Sequence, residues 1–169
     1  MRESPPDAGS RDAWFRQVFV DSHLAQARLQ RRLAATRSES EVQEVVAARL
    51  AKAELLFLAA IALRREQSAR GNLAPSGRYS LVQMLEEESN YLLSQAGAAQ
   101  PQDPAARKLQ ADALLTEGIQ LCRQLAAEFP KDATYTDRLA ALLKLHAQHF
   151  GQRDNAAHTQ QPTAAEQPK

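Results

Sequence analysis

The sequence predicts an all-α protein, a single antiparallel bundle of about five helices, and three observations carry that prediction. Ala and Leu are abundant while β-branched residues are few, a balance that favours helix over strand. No stretch alternates apolar and polar residues for long enough to read as a strand. The third observation is the run Leu55–Leu63, LLFLAAIAL, nine residues without a polar side chain. A helix that is apolar on every side is covered on every side, so this segment is expected at the centre of the bundle. It is too short to span a bilayer, which takes about 20 apolar residues. Hydrophobic residues make up 44% of the 169, enough for one domain with a real core.

Taken in order, residues 1–10 read as a loose tail, dense in Ser, Pro, Asp and Gly. The first helix is expected from Ser10 or Asp12, with Trp14, Val18, Ala25, Leu29 and Leu33 at helical spacing and Phe15 and Phe19 widening the stripe. Arg28, Arg31, Arg32 and Arg37 gather at its far end, where positive charge complements the helix dipole. Ser38 and Glu41 have the spacing of a capping box and open a second helix that runs to about Arg70. Its stripe is Val42, Val46, Leu50, Ala53, Phe57, Ala60 and Ile61, and Gly71-Asn72 supplies its exit.

Residues 71–78, with two glycines and Pro75, read as a loop, and the third helix is expected from Tyr79 or Ser80 to Ala96. It carries Leu81, Val82, Leu85, Leu92 and Leu93, and Glu86, Glu87 and Glu88 form a solvated acidic face. Asp103-Pro104 is a strong start signal, an Asp cap followed by Pro at the first helical position. The fourth helix then runs to Phe129, with Gly118 as a point of close approach or a break, and Pro130 stops it. Asp132 caps the last helix, lined by Tyr135, Leu139, Leu142, Leu143 and His146 and closed by Gly151. The bundle domain is thus 11–151, and 152–169 reads as a second disordered tail. Antiparallel neighbours set Arg64, Arg65 and Arg70 near Asp12 and Asp21, and Arg64 and Arg65 near Glu86 and Glu87.

Gly118 to Leu143, GIQLCRQLAAEFPKDATYTDRLAALL, resembles the junction between two tetratricopeptide repeats. Gly118, Cys122 and Pro130 occupy the positions that close one repeat in that family, and Leu139, Ala140 and Leu143 those that open the next helix. The resemblance implies a repeat-like helical hairpin at the C-terminal end and protein binding on a concave surface. An amphipathic helix, a proline and a second helix give much of the same pattern.

Charge and motifs narrow the function classes. Lys and Arg number 21 against 20 Asp and Glu, so no global charge pulls the chain towards nucleic acid or anionic lipid. The arginines at 28–37 are followed at once by acids and have no interleaved aromatics, which argues against a nucleic-acid surface. Cys122 is the single cysteine, which excludes an internal disulfide and is expected as a buried thiol. There is no Gly-rich phosphate loop, no H-E-x-x-H and no Glu-x-x-His pair, so neither cofactor nor metal is expected. His146 and His149 are read as packed and solvated side chains near a helix end. The start lacks the basic and apolar regions of a secretory signal, and the expected compartment is the cytoplasm.

The expectation is a non-enzymatic interaction or adaptor protein using a helical groove, its partner another protein or a second copy. The alternative is a regulatory bundle holding a small apolar ligand between helices. Candidate partner-binding residues are Trp14, Phe15, Phe19, Tyr135 and Leu142. Three large rings within two turns cannot all face one narrow seam, so Trp14 is read as core while Phe15 or Phe19 points outward.

Overall fold

Single residues set most of the helix ends. In the computed structural model, which describes residues 8–36, 43–96 and 103–151 (the side chains of 8–13 and 96 apart), five helices follow one another. They are α1 (Ala8–Ala35), α2 (Gln43–Ala69), α3 (Pro75–Ala96), α4 (Pro104–Glu128) and α5 (Ala133–Phe150). No strand occurs among the described residues. Asp103 caps α4 by accepting the Ala105 N–H at 2.9 Å, and Asp132 caps α5 by accepting the Thr134 N–H at 3.0 Å. Helix α2 ends in a Schellman motif: Gly71 has φ +70, its N–H donates to the Ser68 carbonyl, and the Asn72 N–H donates to the Gln67 carbonyl. Helix α4 passes through Gly118 without a break. The expected capping box at Ser38 and Glu41, residue 42, the tail 152–169 and residues 1–7 lie outside the described residues.

Two boundaries differ from expectation. Helix α1 already includes Ala8, ahead of Ser10. Helix α3 begins at Pro75, so 75–78 are helix and not loop. The reason is that Pro at the first helical position surrenders an N–H that had no intrahelical partner anyway. Gly77 then lets the Leu73 side chain close over the first turn, where an added Cβ would stand 2.8 Å from Leu73 Cδ2.

By contacts the chain divides into two compact units, Met1–Met84 and Leu85–Lys169, and the division falls within α3. In the first unit, Arg16 lies 3.9 Å from Glu66 and the Arg31 guanidinium sits 4.7 Å above the Phe57 ring, so α1 and α2 run antiparallel. Their seam is built of small residues and a few large ones: Val20, Leu24, Ala27 and Ala34 from α1, and Ala53, Phe57, Ala60 and Ile61 from α2. Burying a side chain such as Phe57 or Ile61 contributes about 1.5–3 kcal/mol.

The seam corrects two expectations. Trp14, Val18, Leu29 and Leu33 are not the buried stripe of α1; they are exposed, and Ala25 with them. Helix α1 carries two apolar faces, and the one with smaller residues meets α2 because it allows closer backbone approach. The run Leu55–Leu63 is also not covered on every side. Phe57, Ala60 and Ile61 are buried, but Leu55 is 71% exposed and Leu56, Leu58 and Leu63 are half-buried.

In the second unit, Cys122 Sγ donates to the Tyr135 carbonyl at 3.3 Å, and His146 Nε2 lies 2.9 Å from Asp112 Oδ1, so α4 and α5 are antiparallel as well. Ser89 Oγ donates to the Ala111 carbonyl at 3.0 Å, tying α3 to α4. Arg138 Nη1 donates to both Glu86 oxygens, at 3.1 and 2.9 Å, tying α3 to α5. This pairs Glu86 with Arg138. The acidic triplet is not a solvated face: Glu88 is fully buried, and Glu86 and Glu87 are half-buried. The residue count of the stripe decides this, since Glu88 falls at the spacing of Leu81, Leu85 and Leu92 on the buried side.

Candidate functional site

Two features of the first unit stand out. The outward face of α1 carries Trp14, Phe15, Val18, Phe19, Leu29 and Leu33, all exposed, within an arc opposite the seam with α2. Trp14, Phe15 and Phe19 are 61, 62 and 54% exposed, which is unusual for large rings. From Trp14 to Leu33 the face is about 28 Å long at the ordinary helical rise. Trp14 and Phe15 meet edge to face at 5.1 Å, and the Phe19 ring lies tilted against His23 at 4.1 Å. The middle of the face is small or polar, at Ser22, Ala25 and Gln26, and Asp21 and Arg28 lie along one flank.

The second feature is a half-enclosed hollow of about 600 Å³ between α1, the end of α2 and the start of α3. Arg16 and Gln17 come from α1, Arg64, Gln67 and Arg70 from α2, and Asn72 to Gly77 from the connection and the first turn of α3. The Schellman turn at Gly71 folds Asn72 and Leu73 back to complete the wall. Arg64 is only 4% exposed. Its Nη2 donates to Gln17 Oε1 at 2.6 Å and its Nη1 to Gln67 Oε1 at 3.1 Å. Gln17 in turn donates to both Asp21 oxygens, at 3.0 and 2.8 Å, so the nearest counter-charge reaches Arg64 through a carboxamide. Burial holds the Arg64 guanidinium below the ordinary arginine range, and Asp21 opposes that shift. Glu66 pairs with Arg70 and lies 3.9 Å from Arg16.

The candidate partner residues part company. Trp14, Phe15 and Phe19 share the exposed face of α1, so Trp14 is not core. Tyr135 and Leu142 are buried in the second unit and hold α5 in place, so neither offers a surface to a partner. Phe129 packs against Tyr135 at 5.8 Å, and the Tyr135 carbonyl receives the Cys122 thiol. Desolvation raises the Cys122 pKa, with Arg138 pulling it down and Glu86 pushing it up. No group of three or more His, Cys, Asp or Glu side chains among the described residues could hold a metal ion. No helix among them is long and apolar enough to cross a membrane. The hollow itself escaped the sequence reading, although a signal was present: Arg64 and Gln67 continue the buried stripe of Phe57, Ala60 and Ile61, and polar residues at core positions mark a site.

No family model, no curated protein and no solved structure matches the chain.

Proposed function

We propose that this is a non-enzymatic interaction protein that associates through the outward face of α1, with a second copy of the same helix as its occupant. One observation carries the reading: six large apolar side chains lie exposed on one face of a long helix, turned away from the helix it packs on. Together they expose several hundred Å², at the upper end of what a monomer leaves uncovered. Pairing two such faces antiparallel about an axis near Leu24 sets Phe15 against Leu33 and Phe19 against Leu29. The same register brings Asp21 of one copy within a residue of Arg28 of the other along the shared flank. The aromatic end of each face thereby meets the aliphatic end of its partner, and the small central residues permit close approach. Aromatic side chains turn about only two χ angles and so cost little side-chain entropy on docking, which suits them to anchor an interface.

Sedimentation of the full chain tests this. The wild-type chain is expected to be dimeric at micromolar concentration. A Phe15→Asp/Leu29→Asp variant is expected to be monomeric with an unchanged helical circular dichroism signal. A wild-type chain that stays monomeric to about 100 µM, or a dimer that survives both substitutions, contradicts the reading. The hollow beside Arg64 is lined by three arginines, so it does not favour the alternative of an apolar ligand between helices.

A further inference from the structure

We infer that the hollow between α1, α2 and the start of α3 is a binding site for the phosphoryl group of a small soluble phosphate monoester. The hollow takes Arg16 and Gln17 from α1 and none of the six large apolar residues of its outward face. It begins with Arg64, a cation almost wholly removed from water whose hydrogen-bond acceptors are two neutral carboxamides. Its Nε is buried with no acceptor. Among the described residues no carboxylate comes within ion-pair distance of it. A buried charge is costly to retain unless something pairs with it, and one without a carboxylate partner facing a hollow points to an anion from outside the chain.

The remaining lining agrees. Of the ten lining residues three are arginine and none is acidic. Arg16 and Arg70 stand at the rim, and the Asn72 amide and Ser76 hydroxyl add neutral donors of the kind phosphate oxygens accept. The positive end of α3, a helix of 22 residues, opens on the same space through Ser76 and Gly77. Planar guanidinium groups match phosphate oxygens two at a time, and an arrangement of several around one space suits a doubly charged group better than a carboxylate. A volume of about 600 Å³ lies in the small-molecule range and leaves room beyond the phosphoryl group for the rest of a small ester. Glu66 pairs with Arg70 and lies 3.9 Å from Arg16, so it competes with the incoming anion for both.

Isothermal titration and thermal melting of the full chain, at fixed ionic strength, give the test. Inorganic phosphate probes the shared chemistry. Glycerol phosphate, and vesicles of phosphatidylcholine with or without phosphatidic acid, separate a soluble ester from a lipid headgroup. The expected result is saturable binding of phosphate, tighter binding of glycerol phosphate, and no gain from phosphatidic acid in the vesicles. Arg16→Gln and Arg70→Gln are each expected to weaken binding about ten-fold without lowering the melting temperature of the unliganded chain, because each removes one charge-assisted contact. Glu66→Gln is expected to tighten it several-fold by removing a carboxylate that competes for Arg16 and Arg70, an effect that a general loss of structure does not produce. Arg64→Gln removes the buried cation, and the rim variants carry the test if that chain fails to fold. The inference is overturned by any of three results: no saturable phosphate binding, equal binding by the rim variants and wild type, or retention on phosphatidic acid vesicles without binding of glycerol phosphate.

Discussion

Arg64 shows how one residue ties a stripe to a site. It falls on the face of α2 that the spacing of Phe57, Ala60 and Ile61 marks as buried, and burial then forces its guanidinium onto Gln17 and Gln67. Gly71 acts at the same scale. Its positive φ completes the turn that brings Asn72 and Leu73 round, and nothing lies within 4 Å of an added Cβ. Gly71→Ala therefore introduces backbone strain without a clash, and is expected to lower stability by about 1 kcal/mol, read from the denaturant midpoint. Cys122 gives a third test. Desolvation holds its thiol above the ordinary range, so near neutral pH it is expected to react with a thiol reagent far more slowly in the native chain than in denaturant. The sign for stability follows. The unfolded chain ionises this thiol first, so the contribution is intact below the ordinary thiol pKa and is lost as pH rises through the folded value. A Cys122 that reacts equally fast in both states contradicts its placement in the core.

At the scale of elements, the sequence made the starts of α4 and α5 legible because Asp103, Pro104 and Asp132 act through their own backbones. The exit of α2 was legible for the same reason at Gly71. What it did not reveal was which of two apolar faces a helix buries. On α1 the larger side chains, Trp14, Phe15 and Leu29, formed the more conspicuous stripe, yet the seam uses Val20, Leu24 and Ala27. Periodicity locates a face, but the partner helix chooses between faces by how closely the backbones can approach. The start of α3 is hidden in the sequence because Pro75 and two glycines have the composition of a loop, whereas position within the first turn makes Pro75 compatible with helix. The pairing of Glu86 with Arg138 was out of reach, since it depends on how α3 meets α5. The hollow was legible only in part: Arg64 could be read on a buried stripe, but Arg16 and Asn72 reach it through tertiary structure. One pair of substitutions tests the corrected view of α2. Phe57→Ala is expected to cost about 3–5 kcal/mol, whereas Leu55→Asp is expected to change stability by no more than about 0.5 kcal/mol. A large loss at Leu55 in thermal or denaturant melting would restore the picture of a helix covered all round.

At the scale of the whole molecule, the described residues form five helices with two antiparallel helical pairs, α1 with α2 and α4 with α5, and α1 leaves six large apolar side chains exposed on one face. Net charge is only +1, so self-association is not opposed by strong repulsion between copies. The face is mainly apolar, so the association is expected to change little between low and physiological salt, where exposed ion pairs are screened. A dimer that dissociates steeply as salt rises would assign the interface to charge instead.

The chain has one tryptophan, and it lies on the face in question. Quenching of Trp14 fluorescence by acrylamide, followed from about 1 µM to about 100 µM protein, therefore reads the interface directly. Efficient quenching is expected in dilute solution, falling with concentration along the same curve as dimer formation, and staying high throughout in the Phe15→Asp/Leu29→Asp chain. Quenching that is equally strong at every concentration, or already weak for the dilute monomer, contradicts the α1 interface.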